Sequence, residues 1–293
     1  MTFPSIPCSD GARLRGDALA GTASPGLRWF LAEVDGPWGH SAFLNADRVL
    51  DSDLGLAIAR RVEAEGMRVL AIRRPGRLRG EGRWRWAIVD SRIGSASIHW
   101  GEVSSPEQLL TVPLDASTGV SSEEPIVAVC AHGRHDRCCA VRGRRVLPAL
   151  LDRHADITWE CSHLGGDRFA GTMVVFPEGL YYGNVDEADA ASLVDDHRRG
   201  LVVQRFFRGR SSLPAPVQAA QHHARELLNE YRIDALDPLS VTQDGTDWTV
   251  VLAHRTPVTV VVRQGLSDPI TTTCNATKAG PVRTFECVSV STQ

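Results

Sequence analysis

Long apolar runs, an excess charge of either sign and a paired-cysteine redox motif are all missing from this 293-residue chain. No stretch approaches about 18 uninterrupted apolar residues, which excludes a transmembrane helix. With 32 basic and 35 acidic residues the net charge is −3, too balanced to predict a nucleic-acid or membrane-surface partner. The opening stretch MTFPSIPCSDGARLRG has no basic region leading into an apolar one, so no secretory signal is expected and the cytoplasm is the expected compartment. A composition of 43% hydrophobic and 23% charged residues without biased tracts excludes disorder over most of the length. Nicotinamide and flavin fingerprints are absent, so any reductant must be a separate molecule.

Cysteine is what the chain does have. There are seven, and a cytoplasmic chain of this size has no need of structural disulfides. Four of them, Cys130, Cys138, Cys139 and Cys161, fall within 32 residues, which in a reducing compartment points to metal or redox chemistry. Cys8, Cys274 and Cys287 are scattered, and the last two are expected to behave as small buried hydrophobes.

The length predicts more than one domain. Residues 1–26 are punctuated by proline and glycine and read as irregular. Over 27–120 the pattern is strand, helix, three strands and a short helix. The strands are Arg28–Val34, Val69–Ile72, Trp84–Val89 and Ser97–Trp100; the main helix is Asp53–Glu65, with Asp53 as its cap. Over 121–212 a similar order returns. Strand Ile126–Val129 leads to a helix within 141–154 whose regular part should begin near Leu147, or kink there, because of Pro148. Strands Ile157–Glu160, Thr172–Phe176 and Leu180–Tyr182 follow, then a helix over Asp186–His197. Strand, helix, strand, antiparallel pair and helix is the thioredoxin-like order. The expected fold class is therefore α/β, with tandem thioredoxin-like domains and a small C-terminal α+β domain over 213–293. That last part reads as a helix over Val217–Tyr231 and strands at Asp247–Ala253, Val258–Arg263, Ile270–Cys274 and Arg283–Val290.

Two segments carry chemistry. CAHGRHDRCC, residues 130–139, leaves a strand and enters a helix; WECSHLGGDRF, residues 159–169, leaves the next strand into a glycine-rich loop. With parallel strands both loops open at the carboxyl end of the sheet. Thiolates and an imidazole select an iron–sulfur cluster, zinc or copper(I) over magnesium or calcium. Structural zinc sites space paired ligands by two to four residues, whereas eight residues separate Cys130 from Cys139, room for something larger than one ion. A thiol oxidoreductase is a third reading, but Cys-x-x-Cys is lacking and vicinal Cys138 and Cys139 suit no unstrained bridge. His132 and Asp136 are expected to shape the loop by hydrogen bonds. Arg134, Arg137, Arg142, Arg144 and Arg145 form a basic run that is either solvated surface or a docking patch for an acidic redox partner. The tryptophans of the N-terminal half are expected in core and inter-domain packing.

The runs CAHGRHDRCC, CSHLGGDRFAG, GLYYGNV and QRFFRGR resemble successive signatures of the sucrase/ferredoxin-like family, and the earlier GTA and EVDGPWG stretches resemble its bacterial branch. The resemblance covers about two-thirds of the chain and implies a [2Fe–2S] cluster in a thioredoxin-like domain. It places the first ligand pair on Cys130 and Cys139, with Cys138 one residue off the family position. The family's second pair, His-x-x-x-His, falls on His163 and, in a departure, on Asp167. A carboxylate is a hard cluster ligand, so the expected set is Cys130, Cys139, Cys161 and His163, with Cys138 and Asp167 as alternatives. No acid pair supports the sugar hydrolysis in the family's name. The reading is a one-electron [2Fe–2S] carrier rather than a stand-alone enzyme, proton-coupled through a histidine ligand, serving an unidentified redox partner protein. The alternatives are a zinc-stabilised interaction module and a thiol oxidoreductase of thioredoxin-like fold.

Overall fold

The structure, a computed structural model, describes residues 6–46, 48–76 and 83–292. Helix α1 (Cys8–Arg15) precedes β1 (Arg28–Glu33), α2 (Ser52–Ala64), β2 (Arg68–Arg73), β3 (Trp84–Asp90) and β4 (Ser97–Val103). Then come β5 (Val120–Ser122), β6 (Ile126–Cys130), α3 (Arg137–His154), β7 (Thr158–Cys161), β8 (Met173–Phe176), β9 (Leu180–Tyr182), α4 (Glu187–Arg198) and β10 (Phe207–Arg210). All ten strands form one sheet in the order β10-β9-β8-β6-β7-β2-β1-β3-β4-β5.

The order contains the same unit twice. In the first half β1 pairs in parallel with β2 and antiparallel with β3, which pairs with β4. In the second, β6 pairs in parallel with β7 and antiparallel with β8, which pairs with β9. This is the tandem thioredoxin-like arrangement, closed into a single sheet by antiparallel pairing of β2 with β7. Ile72 faces Cys161 and Arg73 faces Glu160 at that seam, where the Arg73 guanidinium bonds the Glu160 carboxylate at 2.6 Å. Because β2 and β7 overlap only at their last residues, the carboxyl ends of both parallel pairs meet in mid-sheet.

Both faces of the sheet are covered. Trp29, Leu31, Ile72, Ala128, Trp159 and Val174 share one core that is continuous across the halves. On the opposite face Phe30 and Ala32 pack with Ile58 and Val62 of α2, and Val127 and Val129 pack with Val146 and Leu150 of α3. The tryptophans serve packing, partly buried Trp100 stacking on buried Trp159 across the halves at 5.4 Å.

Helix α5 (Ala215–Leu228) and the antiparallel sheet β11 (Pro238–Asp244), β12 (Asp247–Leu252), β13 (Val258–Leu266) and β14 (Arg283–Thr292) make the C-terminal unit. They share a core that includes Val217, Ala220, Val250, Val260 and Val262.

Several local expectations are corrected. The N-terminal stretch holds α1, closed by Gly16 in the left-handed region. Asp51, not Asp53, caps α2 by accepting from the Asp53 and Leu54 amides at 3.0 Å. Helix α3 runs unbroken through Pro148; Pro148 and Arg144, whose carbonyl loses its amide partner, are exposed, so water can satisfy the lost bond. Strand β11 carries its alternation over Leu239 and Val241 alone, and nearly all of it is exposed, too weak a pattern to predict a strand. Ile270–Cys274 makes only a bridge from Ile270 to Gly280.

The approach of α3 to β6 is set by Gly143. A Cβ there would lie 2.2 Å from the Cys130 carbonyl oxygen, so a side chain must push the helix off the strand. Gly143→Ala should lose about 1–3 kcal/mol of stability, as overpacked cores do, read as a lower urea midpoint. An unchanged midpoint would show that helix and strand are not in hard contact.

Candidate metal centre

Cys130 ends β6, and the chain turns through 131–136 with the His135 and Asp136 amides bonding the His132 carbonyl. Asp136 then caps α3 by accepting from the Cys138 amide at 2.7 Å. This places Cys139 in the first helical turn, where the N-terminal partial charge favours a thiolate. Next door, β7 ends at Cys161, and Ser162 stays tied to β2 through its amide and hydroxyl, both bonded to Ala71. His163 follows. Gly165 and Gly166 both adopt positive φ, and a short 3-10 helix at Asp167–Phe169 returns Asp167 towards His163.

Three of the expected residues converge: ligand atoms of Cys130, Cys139 and His163 lie within 4.8 Å of one another. Asp167 joins them, its Oδ1 accepting from the Cys139 thiol at 3.2 Å and lying 3.1 Å from His163 Nδ1. That Nδ1 is buried against the Asp167 carboxylate. His135, which the sequence reading passed over, stacks on His163 with ring centres 3.7 Å apart, and His163, Asp167 and His135 also form a close donor group.

Cys161 and Cys138 are not brought in. Cys161 is fully buried beside Cys130 in the continuous core, but it belongs to no close donor group among the described residues. Cys138 points the other way, 3.6 Å from the Cys8 sulfur and 3.2 Å from that of Cys274. Cys274 is therefore not an isolated hydrophobe. His132 and Asp136 do shape the loop: His132 Nε2 bonds the Gly39 carbonyl at 2.7 Å, and Asp136 ties α3 to Thr273 and Cys274.

The electrostatics favour one thiolate in the pair. Contact with the Cys139 side chain holds Cys130 well below the usual thiol range, with His163 adding to the effect against burial. Cys139 is pushed up in turn by that contact and by burial. Burial alone would lower His163, but the Cys130 sulfur and the Asp167 carboxylate raise it. Asp167 is raised by burial, as is Cys161.

The N-terminal half closes the site from above. Its loop after β1 carries Gly39 and His40; the His40 ring stacks on His135 at 4.8 Å. A cavity of about 320 Å³ lined by His40, Phe43, His132, His135 and His163 opens beside them. His163 is the donor nearest solvent, its side chain 26% exposed.

A profile of the sucrase/ferredoxin-like family matches residues 19–209. The chain belongs to that family. Among proteins similar to it is the Altered inheritance of mitochondria protein 32 of Meyerozyma guilliermondii, 30% identical over 102 residues. That match covers 29% of this chain and 34% of the relative. The protein of the same name from Candida glabrata is 25% identical over 100 residues, 29% of this chain and 32% of the relative. The chain thus spans about a third of the length of these curated relatives. A solved thioredoxin-like [2Fe-2S] ferredoxin from Aquifex aeolicus is 21% identical and overlaps 32% of this chain and 97% of its own, with a TM-score of 0.28. A variant of it is 21% identical over 29% of this chain and 97% of its own, with a TM-score of 0.26.

Within the family segment, Arg208 fixes the glycine loop. It is 2% exposed and donates to the Gly165 carbonyl at 2.9 Å and to the Thr22 carbonyl at 2.5 Å. A Cβ on Gly166 would lie 2.5 Å from its guanidinium. Arg208→Met should cost roughly 2 kcal/mol by leaving two partly buried carbonyls without their donor, lowering the thermal midpoint. Full retention of stability would mean that the loop holds itself.

Proposed function

We propose that Cys130, Cys139, His163 and Asp167 hold a [2Fe–2S] cluster and that the protein carries single electrons to and from a partner protein. The observation that supports this reading is the convergence of Cys130, Cys139 and His163 in one close group, with the Asp167 carboxylate against Cys139 and His163. The donor set suits iron: soft thiolates on one side, and a nitrogen of the kind that raises cluster potential on the other. Asp167 replaces Cys161 as the fourth ligand because its oxygen already faces Cys139 and His163. When bound, such a cluster supplies a one-electron couple.

The chain's own residues do the rest. Burial of Cys130 and Cys139 keeps water from the thiolates, and the buried Arg208 guanidinium supplies opposite charge near Asp167 and Cys130. His163, half-open to the cavity, holds a proton on whichever ring nitrogen does not bind iron. Taking up or releasing that proton couples its charge to the redox state. Exposed Arg134 and Arg144 line an opening next to Trp38 and His132, which suits docking of an acidic redox partner. Arg142 takes no part, being engaged by Asp10 at 2.6 Å and Asp186 at 3.6 Å. A reducing compartment such as the cytoplasm fits seven free cysteines.

Iron and sulfide analysis of anaerobically purified protein tests the ligand set. Cys130→Ser and His163→Ala should lose most of the iron and the visible colour, Asp167→Ala should lower both, and Cys161→Ser should retain them. A colourless Cys161→Ser protein, or zinc in place of iron at wild-type Cys130, would contradict the assignment. The potential should fall as pH rises; a potential flat across the neutral range would remove the proton coupling and leave the cluster standing.

A further inference from the structure

A second group of donors lies outside this centre. The sulfurs of Cys8, Cys138 and Cys274 form a triangle with edges of 3.6, 3.2 and 3.6 Å. The three residues are 130, 136 and 266 positions apart in sequence, so no local motif gathers them. Cys8 is the first residue of α1, Cys138 the second of α3, and Cys274 lies in the long connection between β13 and β14. Cys8 and Cys138 are buried at 3% exposure. Asp136, wholly buried, has a carboxylate oxygen within 4.8 Å of all three sulfurs.

We propose that Cys8, Cys138, Cys274 and Asp136 form a structural zinc site that fastens α1 and the C-terminal unit to the second thioredoxin-like half. Zinc–sulfur bonds of about 2.3 Å in a tetrahedron set sulfur–sulfur edges of roughly 3.8 Å, so the triangle needs little expansion to accept the ion. Asp136 is already aimed by the Cys138 amide at one oxygen, and by the Thr273 hydroxyl and Cys274 amide at the other. A carboxylate oxygen keeps acceptor capacity beyond those bonds. Three thiolates with one carboxylate favour zinc over copper(I), which prefers sulfur alone, and over calcium, which prefers oxygen. Two of the sulfurs stand at helix N-termini, whose partial positive charge favours thiolates.

Binding is an exchange without redox change: three sulfur–zinc bonds and one Asp136 oxygen–zinc bond form, the waters bound to the incoming zinc leave, and three thiol protons go to solvent. The sulfurs are in van der Waals contact, far from the roughly 2.05 Å of a disulfide. The site is also separate from the proposed cluster, because vicinal Cys138 and Cys139 serve opposite sides. It therefore stands or falls independently of the iron reading.

The test is zinc and iron analysis of untagged full-length protein, purified anaerobically from zinc-supplemented cells. Wild type should hold about one zinc per chain in addition to any iron. The Cys130→Ser/Cys139→Ser double variant should lose iron and keep zinc. Cys8→Ser and Cys274→Ser should lose zinc and keep iron, while Cys287→Ser, with its cysteine elsewhere on β14, should keep both. On wild type alone, alkylation mapped by mass spectrometry should label Cys8, Cys138 and Cys274 only after chelation, and cobalt should restore protection with the visible bands of tetrahedral cobalt thiolate. Substoichiometric zinc in wild type, zinc retained when Cys8 and Cys274 are both replaced, or a disulfide among the three in anaerobic protein would overturn the proposal.

Discussion

The antiparallel seam between β2 and β7 is the constraint on which the candidate centre depends. Each thioredoxin-like half has a parallel strand pair whose carboxyl ends open into loops. Joining the halves in parallel would have left those loops side by side along one edge of the sheet. Joining them head to head, through Ile72 with Cys161 and Arg73 with Glu160, turns the loops towards each other. The loop after β1 thereby lies over the loop after β6, and the contacts of Gly39 with His132 and His40 with His135 follow. One half supplies the thiolates, and the other, lacking cysteine at the equivalent turn, supplies a wall.

A second theme is the division of labour along a single helical turn. Asp136 starts α3, Cys138 faces α1 and the C-terminal unit, and Cys139 faces the glycine loop. Alternate facing of adjacent residues at a helix start lets one short segment serve two groups of donors without sharing a ligand. Gly143, one turn further on, lets the helix lie against the Cys130 carbonyl, so the geometry of both groups is coupled to the packing of α3 on β6.

Much of the fold was legible because the strands are short, buried and bounded by turns, and because the strand–helix–strand–hairpin order occurs twice. Two kinds of feature were not. Pro148 misled because propensity describes an isolated helix, whereas the apolar face of Val146, Leu147 and Leu150 anchors α3 whatever happens on its wet side. Strand β11, an exposed edge, alternates over Leu239 and Val241 alone and so gives too weak a pattern. In the candidate centre, motif spacing led to Cys130, Cys139 and His163. Cys161 and Cys130 end neighbouring parallel strands and share one core, whereas Asp167 reaches Cys139 and His163 only through the turn at Gly165 and Gly166, which spacing alone does not show. His135 had a signal in the His-x-x-His spacing of the loop. Cys8 and Cys274 had none, since only the tertiary fold brings residues 266 positions apart into contact.

The central claim is that a cluster is held by two sulfurs, one histidine nitrogen and one carboxylate oxygen. Pulsed electron paramagnetic resonance on the reduced protein, with histidine nitrogens isotopically labelled, addresses it most directly. A single strongly coupled imidazole nitrogen, lost in His163→Ala and kept when His135 is replaced, is the result the account predicts. Two coupled nitrogens would put His135 in the place given to Asp167, and none would contradict histidine ligation altogether.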